Sequence, residues 1–339
     1  MSSSRTARAV WFERASGGDP VAVVREEELR APGAGEALVR ALFSGISAGT
    51  ERLVLSGQVP ASARAVMELP LMRGSFELPI AYGYALVGEV EAVGSGVREG
   101  LTGERVFVLH PHQDLAVAKV SELRKMPASV PAPRLTLAPN LETAVNVIWD
   151  AEVNLGDAVV VTGLGVVGLL ITWLAARAGA EALTVVDPDE GRQKLARDLG
   201  AKATLSALDP DTIARADVLI EASGAPAALS LLIEHAGQEA RVVVASWYGD
   251  KPTPLPLGGR FHPHRVTIRS SQVGHIDPRR SGRWDYARRW ELVCALLTEV
   301  DLDRLIAPPV SLSEAPTVYS ELAAGVRWQP PHRVFDLRA

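Results

Sequence analysis

Between Ala158 and Ala176 the chain runs for nineteen residues without a charge, and three glycines, Gly163, Gly165 and Gly168, fall inside that run. An unbroken apolar stretch of this length is long enough to span a bilayer. The glycines divide it instead. Ala158–Thr162 reads as a strand, Gly163–Gly168 as a tight turn, and Val166–Ala178 as a helix closed by Gly179. A G-x-G-x-x-G placed between a strand and a helix is a dinucleotide-binding fingerprint. Gly163 permits the turn, Gly165 lets the backbone approach a pyrophosphate, and Gly168 lets helix and strand pack closely. Leu164, Val166 and Val167 complete the turn, and the helix start presents its N–H groups to the anion.

The residues that follow extend the pattern. Leu183–Val186 reads as a second strand, and Asp187 ends it nineteen residues after Gly168. A carboxylate there accepts hydrogen bonds from both adenosine ribose hydroxyls and repels a 2′-phosphate, which favours NAD over NADP. Arg192 either softens that preference or is a solvated helix arginine. Helices are expected over Asp189–Leu199 and Pro226–Ala236, and strands over Ala201–Leu205, Asp217–Glu221, Ala240–Ala245 and Val266–Arg269. Such alternation implies a doubly wound parallel sheet, the Rossmann arrangement of an α/β fold.

The 339 residues exceed one ordinary core, so a second domain is expected. Ala7–Phe12, Glu36–Ser44, Ala85–Val93 and Arg105–Leu109 read as short strands set between Gly and Pro turns, an irregular β-barrel. The expected division is residues 1–142 as the barrel domain, 143–274 as the dinucleotide domain, and 275–339 as a return to the first. The return carries a helix over Trp284–Leu297 and a strand over Pro331–Leu337. A net charge of −5 argues against a nucleic-acid partner. The lone Cys294 makes neither an internal disulfide nor a multi-cysteine zinc site. The N-terminus shows no signal-peptide pattern, so a cytoplasmic location without membrane contact is expected. Arg279–Arg283 reads as a solvated face or as a contact for an anionic group.

The order of these pieces resembles the medium-chain dehydrogenase/reductase superfamily over nearly the whole chain. Val39–Gly49 looks like its first zinc-loop region, Pro79-Ile-Ala-Tyr-Gly83 like the approach to its Gly-His-Glu motif, and Gly103-Glu-Arg-Val106 like its Gly-Asp-Arg-Val turn. Glu221-Ala-Ser-Gly224 agrees as well. The resemblance implies a GroES-like catalytic barrel, a homodimer and a small-molecule substrate. It also places Ser223 and Ser246 near the nicotinamide ribose, and Ser271 and Gln272 near the carboxamide, largely through their backbone.

The departures are equally specific. Where zinc members carry Gly-Ile-Cys-Gly-Thr-Asp, this chain reads Gly45-Ile-Ser-Ala-Gly-Thr-Glu51, with serine at the cysteine position. Where they carry Gly-His-Glu, it has Gly83-Tyr-Ala85. The third ligand falls near Pro139 or Asn140, with Glu142 a displaced candidate. No catalytic zinc of the usual type is expected. Ser44–Glu51 looks most like the bacteriochlorophyllide (hydroxyethyl) dehydrogenase branch, which uses NAD to oxidise a 1-hydroxyethyl substituent on a large flat ring to an acetyl group.

Without zinc, a hydrogen-bond donor must stabilise the reacting oxygen. Tyr84 stands at a ligand position and either protonates that oxygen or fills the vacated space. His110 and His112 are each a proton relay or a satisfied loop histidine. Thr50 keeps the hydroxyl of the zinc-loop motif, and Glu51 is expected to bind nearby backbone or an arginine. His110-Pro-His112 with His262-Pro-His264 raises a rebuilt metal site as an alternative. The leading expectation is a zinc-independent, NAD-linked oxidoreductase interconverting a secondary alcohol and a ketone. An enoyl or quinone reductase and a non-catalytic dinucleotide-binding protein are the alternatives.

Overall fold

The computed structural model describes residues 5–338. The chain forms two units, one of residues 1–139 with 296–339 and the other of residues 140–295. Among the described residues no helix is long and apolar enough to cross a membrane. The uncharged run divides into the strand Ala158–Thr162 and the helix Val166–Ala178.

The second unit is built on a six-stranded parallel sheet. Its spatial order is Ala203–Leu205, Ala182–Val186, Ala158–Thr162, Val218–Glu221, Arg241–Val244, Thr267–Ser270. In chain order this is 3-2-1-4-5-6, so the winding reverses between the first and fourth strands. Val160, Leu219 and Val242 from the sheet and Leu232 and Ile233 from the helix Pro226–His235 lie buried in one apolar cluster. The continuous apolar run of each inner strand reflects burial on both faces.

The first unit holds two sheets. In one, Glu36–Gly45 lies at the centre, flanked by Leu86–Val93, Leu115–Lys119 and the closing strand Val334–Asp336. In the other, Arg5–Arg14 pairs along its length with Pro20–Leu29, a strand the sequence hid because Arg25–Glu28 carries four consecutive charges. The amide of Val10 donates to the His112 carbonyl and that of Asp114 to the Arg8 carbonyl, joining the sheets into an irregular barrel. The core includes Phe12, Ile46, Leu86, Tyr319 and Phe335.

The return to the first unit falls at 295/296, where 274/275 was expected, and the first boundary at 139/140 instead of 142/143. The cause is packing that the sequence pattern does not show. Arg269 reaches Asp277 at 3.1 Å, Trp284 packs on Trp149 with centroids 4.7 Å apart, and Arg289 lies buried against Glu142 at 3.0 Å. Residues 277–289 are thereby tied to the second unit. Glu142, the displaced zinc-ligand candidate, is the carboxylate of that ion pair. Removing one partner of a buried pair leaves an uncompensated charge. Arg289→Met is therefore expected to cost about 3–5 kcal/mol, read from the urea midpoint; a loss below about 1 kcal/mol would show that the pair does not hold this segment.

Candidate functional site

The expected dinucleotide residues gather at the carboxyl ends of the parallel strands. Gly163 follows Thr162, Asp187 follows Val186, Ser223 lies two residues beyond Glu221, and Ser246 two beyond Val244. Ser271 follows Ser270. Ligands of open α/β sheets bind at this end, where the strand order reverses.

Each glycine of the turn has its own geometric reason. Gly163 has φ +89°, and a Cβ there would come within 2.5 Å of the Ser223 backbone. A Cβ on Gly168 would come within 1.8 Å of the Gly163 carbonyl oxygen. On Gly165 it would meet no protein atom within 4 Å. Gly165 is also the N-cap of the helix Val166–Ala178 and brings no side chain to its first-turn amides. The turn thus leaves a helix N-terminus with space before it, an anion cradle.

Asp187 is buried, and its carboxylate is tied to the turn. Oδ2 accepts from the Leu164 amide at 2.8 Å and Oδ1 from the Asp189 amide at 2.9 Å. Arg192 lies beside Asp189, with Nε 4.0 Å from its carboxylate. Glu221, which sequence reasoning took only as part of a motif, is fully buried. Its Oε1 accepts from the amides of Ser223 and Gly224 at 2.7 and 3.0 Å, and its Oε2 from the Tyr248 hydroxyl at 2.6 Å. The Gly224 amide also donates to Ser246 Oγ at 2.9 Å. The Ser271 hydroxyl donates to Asp150 at 2.6 Å, while the exposed Gln272 side chain folds back on the Gly274 amide.

The catalytic candidates lie in the first unit. Ser47 precedes the helix Ala48–Leu55, which carries Thr50 and Glu51 in its first turn. Glu51 is fully buried. Its Oε1 accepts from the Ser47 amide at 2.7 Å, and its Oε2 from the Tyr319 hydroxyl at 2.5 Å and His112 Nε2 at 3.1 Å. The backbone contact was expected; a histidine and a tyrosine stand in place of the expected arginine, brought there by segments remote in sequence. His112 Nδ1 meets Ser44 Oγ at 2.6 Å. His110 is held apart from this chain by its own bond, from Nδ1 to the Pro111 carbonyl at 2.9 Å.

Tyr84, Ser47 and Thr50 are only partly buried, whereas Ser44, Glu51 and His112 are sealed. Burial, reinforced by the Glu51 charge, raises the Tyr84 phenol to about 12; the facing Ser47 and Thr50 hydroxyls pull weakly the other way. The phenol therefore keeps its proton across the neutral range. Tyr82 packs edge-on against it with ring centroids 6.1 Å apart.

Among the described residues, no cluster of three or more His, Cys, Asp or Glu is arranged to hold a metal ion. His264 Nδ1 bonds the Ala236 carbonyl at 3.1 Å. Where the resemblance implies two zinc ligands stand the Ser47 hydroxyl and the Tyr84 phenol, hard oxygen donors that must deprotonate to bind tightly, and the phenol resists doing so. The residues do not fit a catalytic zinc.

Residues 166–290 match the family model described as zinc-binding dehydrogenase. D-guloside 3-dehydrogenase of Escherichia coli K12 is 28% identical over 262 residues, covering 73% of this chain and 74% of that protein. Two solved structures superpose over nearly the full length. One is a putative zinc-binding dehydrogenase from Sinorhizobium meliloti 1021 bound to NADP, with TM-score 0.76, 20% identity and coverage of 98% of this chain and 99% of that one. The other is described as a short chain alcohol dehydrogenase from E. coli CFT073 complexed with NADH, with TM-score 0.76, 18% identity and coverage of 98% and 99%. These likenesses establish the fold as a Rossmann domain joined to a barrel.

Gly165→Ala is expected to leave the melting midpoint of the free protein unchanged while weakening dinucleotide binding about tenfold or more, near 1.4 kcal/mol. Unchanged affinity on calorimetric titration would mean that the cradle does not hold the pyrophosphate. A second expectation concerns pH. Burial lowers His110 and His332 from 6.5 to about 4. The unfolded chain therefore takes up these protons first, and stability present above pH 6.5 is lost as the pH falls towards 4, by up to about 3 kcal/mol per imidazole. The urea midpoint should drop between pH 7 and 5, and less steeply in His332→Gln; parallel slopes for the two proteins would refute the assignment to His332.

Proposed function

We propose that this chain, a relative of the zinc-binding dehydrogenases and an oxidoreductase, interconverts a secondary alcohol and a ketone with a nicotinamide dinucleotide and no catalytic zinc. The observation that carries this reading is the partly exposed Tyr84 phenol, faced by the Ser47 and Thr50 hydroxyls where the resemblance implies a zinc ligand.

The residues that would hold the dinucleotide are Gly163–Gly168 for the pyrophosphate and Asp187 for the ribose. The buried Asp187 carboxylate disfavours a 2′-phosphate, so NAD is the preferred form. Ser223, Ser246, Ser271 and Gln272 would line the nicotinamide end. When bound, the nicotinamide would supply the hydride chemistry at the carbonyl carbon. The chain's own part is the proton. Tyr84 Oη donates it to the carbonyl oxygen as charge develops there, and the partly exposed Thr50 and Ser47 hydroxyls relay a proton from solvent back to the phenolate. His112 and Glu51 hold this arrangement without touching substrate, and His110 stays neutral beside it.

D-guloside 3-dehydrogenase bears in its name a secondary-alcohol position, in keeping with this reaction. The likeness of Ser44–Glu51 to the hydroxyethyl dehydrogenase branch extends the reading to a side chain on a larger ring. A homodimer through the edge strand Thr267–Ser270 belongs to the same reading.

Tyr84→Phe should lower kcat for ketone reduction about 100-fold, the scale of one general acid, with dinucleotide affinity unchanged. Retained turnover would sink the donor assignment. Alcohol oxidation needs the phenolate, so its kcat/KM should climb about tenfold per pH unit from neutrality towards the phenol's value near 12. Elemental analysis of chelator-washed, active protein should find under about a tenth of an equivalent of zinc; near one equivalent would overturn the zinc-free mechanism.

A further inference from the structure

Four side chains from remote parts of the first unit form an unbroken buried chain: Ser44 Oγ to His112 Nδ1, His112 Nε2 to Glu51 Oε2, and Glu51 Oε2 to Tyr319 Oη, at 2.6, 3.1 and 2.5 Å. Tyr319 lies on the helix Ala315–Ala323, and its role follows neither from a motif nor from the comparisons. With Glu51 ionised, every bond has one proton: Tyr319 O–H and His112 Nε2–H donate to the carboxylate, and Ser44 O–H donates to Nδ1.

The chain touches both sides of the Tyr84 environment. Glu51 Oε1 grips the Ser47 amide and so fixes the turn that carries the Ser47 and Thr50 hydroxyls. His112 packs on Gly83, where φ is +124° and a Cβ would come within 2.8 Å of the imidazole, so the ring sits against the backbone next to Tyr84. Tyr319 itself cannot wander. Phe12 meets its ring edge-on at a centroid distance of 4.7 Å, and the residue is buried. Its hydroxyl is left to do one thing, which is to clamp Glu51.

Resting on the reading of Tyr84 as proton donor, we infer that Tyr319 is a positioning residue for that donor: it clamps Glu51 opposite His112, and the clamped carboxylate holds both the Ser47–Thr50 turn and the negative charge that faces the phenol. The titratable groups facing Glu51 are His112, Tyr319, Tyr82, Tyr84 and His332. Those facing Tyr84 are Glu51, Tyr82 and Tyr319. Glu51 supplies the one carboxylate charge among them.

The test uses full-length protein carrying tyrosine labelled with carbon-13 at Cζ. The chain has five tyrosines, and the resonance missing from Tyr84→Phe identifies that of Tyr84. Tyr319→Phe removes one oxygen and keeps the ring packing. It should move the Tyr84 resonance and lower kcat about tenfold, with KM and dinucleotide affinity unchanged. In Glu51→Gln, loss of the facing charge should lower the titration midpoint of Tyr84 by about one pH unit. A Tyr84 resonance unmoved by Tyr319→Phe overturns the inference. Should that variant not fold, Ser44→Ala unloads the same carboxylate through His112 and must move the same resonance; an unmoved signal there overturns it equally. If Tyr84→Phe keeps full turnover, the donor reading fails by itself, and the coupling of Tyr319 to Tyr84 is still decided by the resonance.

Discussion

The first unit is organised around one buried charge. Glu51 has no exposed surface, and an ionised carboxylate in such a place costs several kcal/mol unless donors surround it. The donors come from its own helix start, from the segment leading into Leu115–Lys119, and from the helix Ala315–Ala323 near the chain's end. Satisfying one carboxylate therefore requires three stretches of chain to be in register. The same requirement leaves Tyr84, Ser47 and Thr50 aimed and only partly covered.

The second unit uses the device twice more. Asp187 binds the amides of Leu164 and Asp189, and Glu221 binds those of Ser223 and Gly224. Each carboxylate sits at a strand's carboxyl end and pins the loop that follows. A loop pinned in this way needs no rearrangement when a ligand arrives, which lowers the cost of ordering on binding. Asp187 shapes the glycine turn through these bonds, and in the proposed function its charge also faces the ribose.

In the proposed mechanism a hydroxyl does the work of a metal, which changes the kind of catalysis available. A metal polarises an oxygen as a Lewis acid, whereas a phenol donates a proton to it. A phenol raised to about 12 by burial and by a neighbouring carboxylate is a reluctant base and a steady donor. In the proposed reaction such a phenol favours protonating an alkoxide over removing a proton from an alcohol at neutral pH.

The glycine turn, the strand ending in Asp187 and the helix Val166–Ala178 could be read from the sequence, because each rests on residues a few positions apart. Pro20–Leu29 was hidden because the solvated charges of an edge strand break the apolar alternation. The domain return was misplaced because the ties of Arg289 to Glu142 and of Trp284 to Trp149 span more than a hundred residues. Tyr319 carried no signal at all, since its partner Glu51 lies 268 residues away. The sequence by itself determined the fold class and the glycine turn, both of which follow from local pattern and steric need. Only the tertiary structure decided which donors neutralise Glu51, because burial and hydrogen-bond partnership between remote segments come into being when the chain closes on itself.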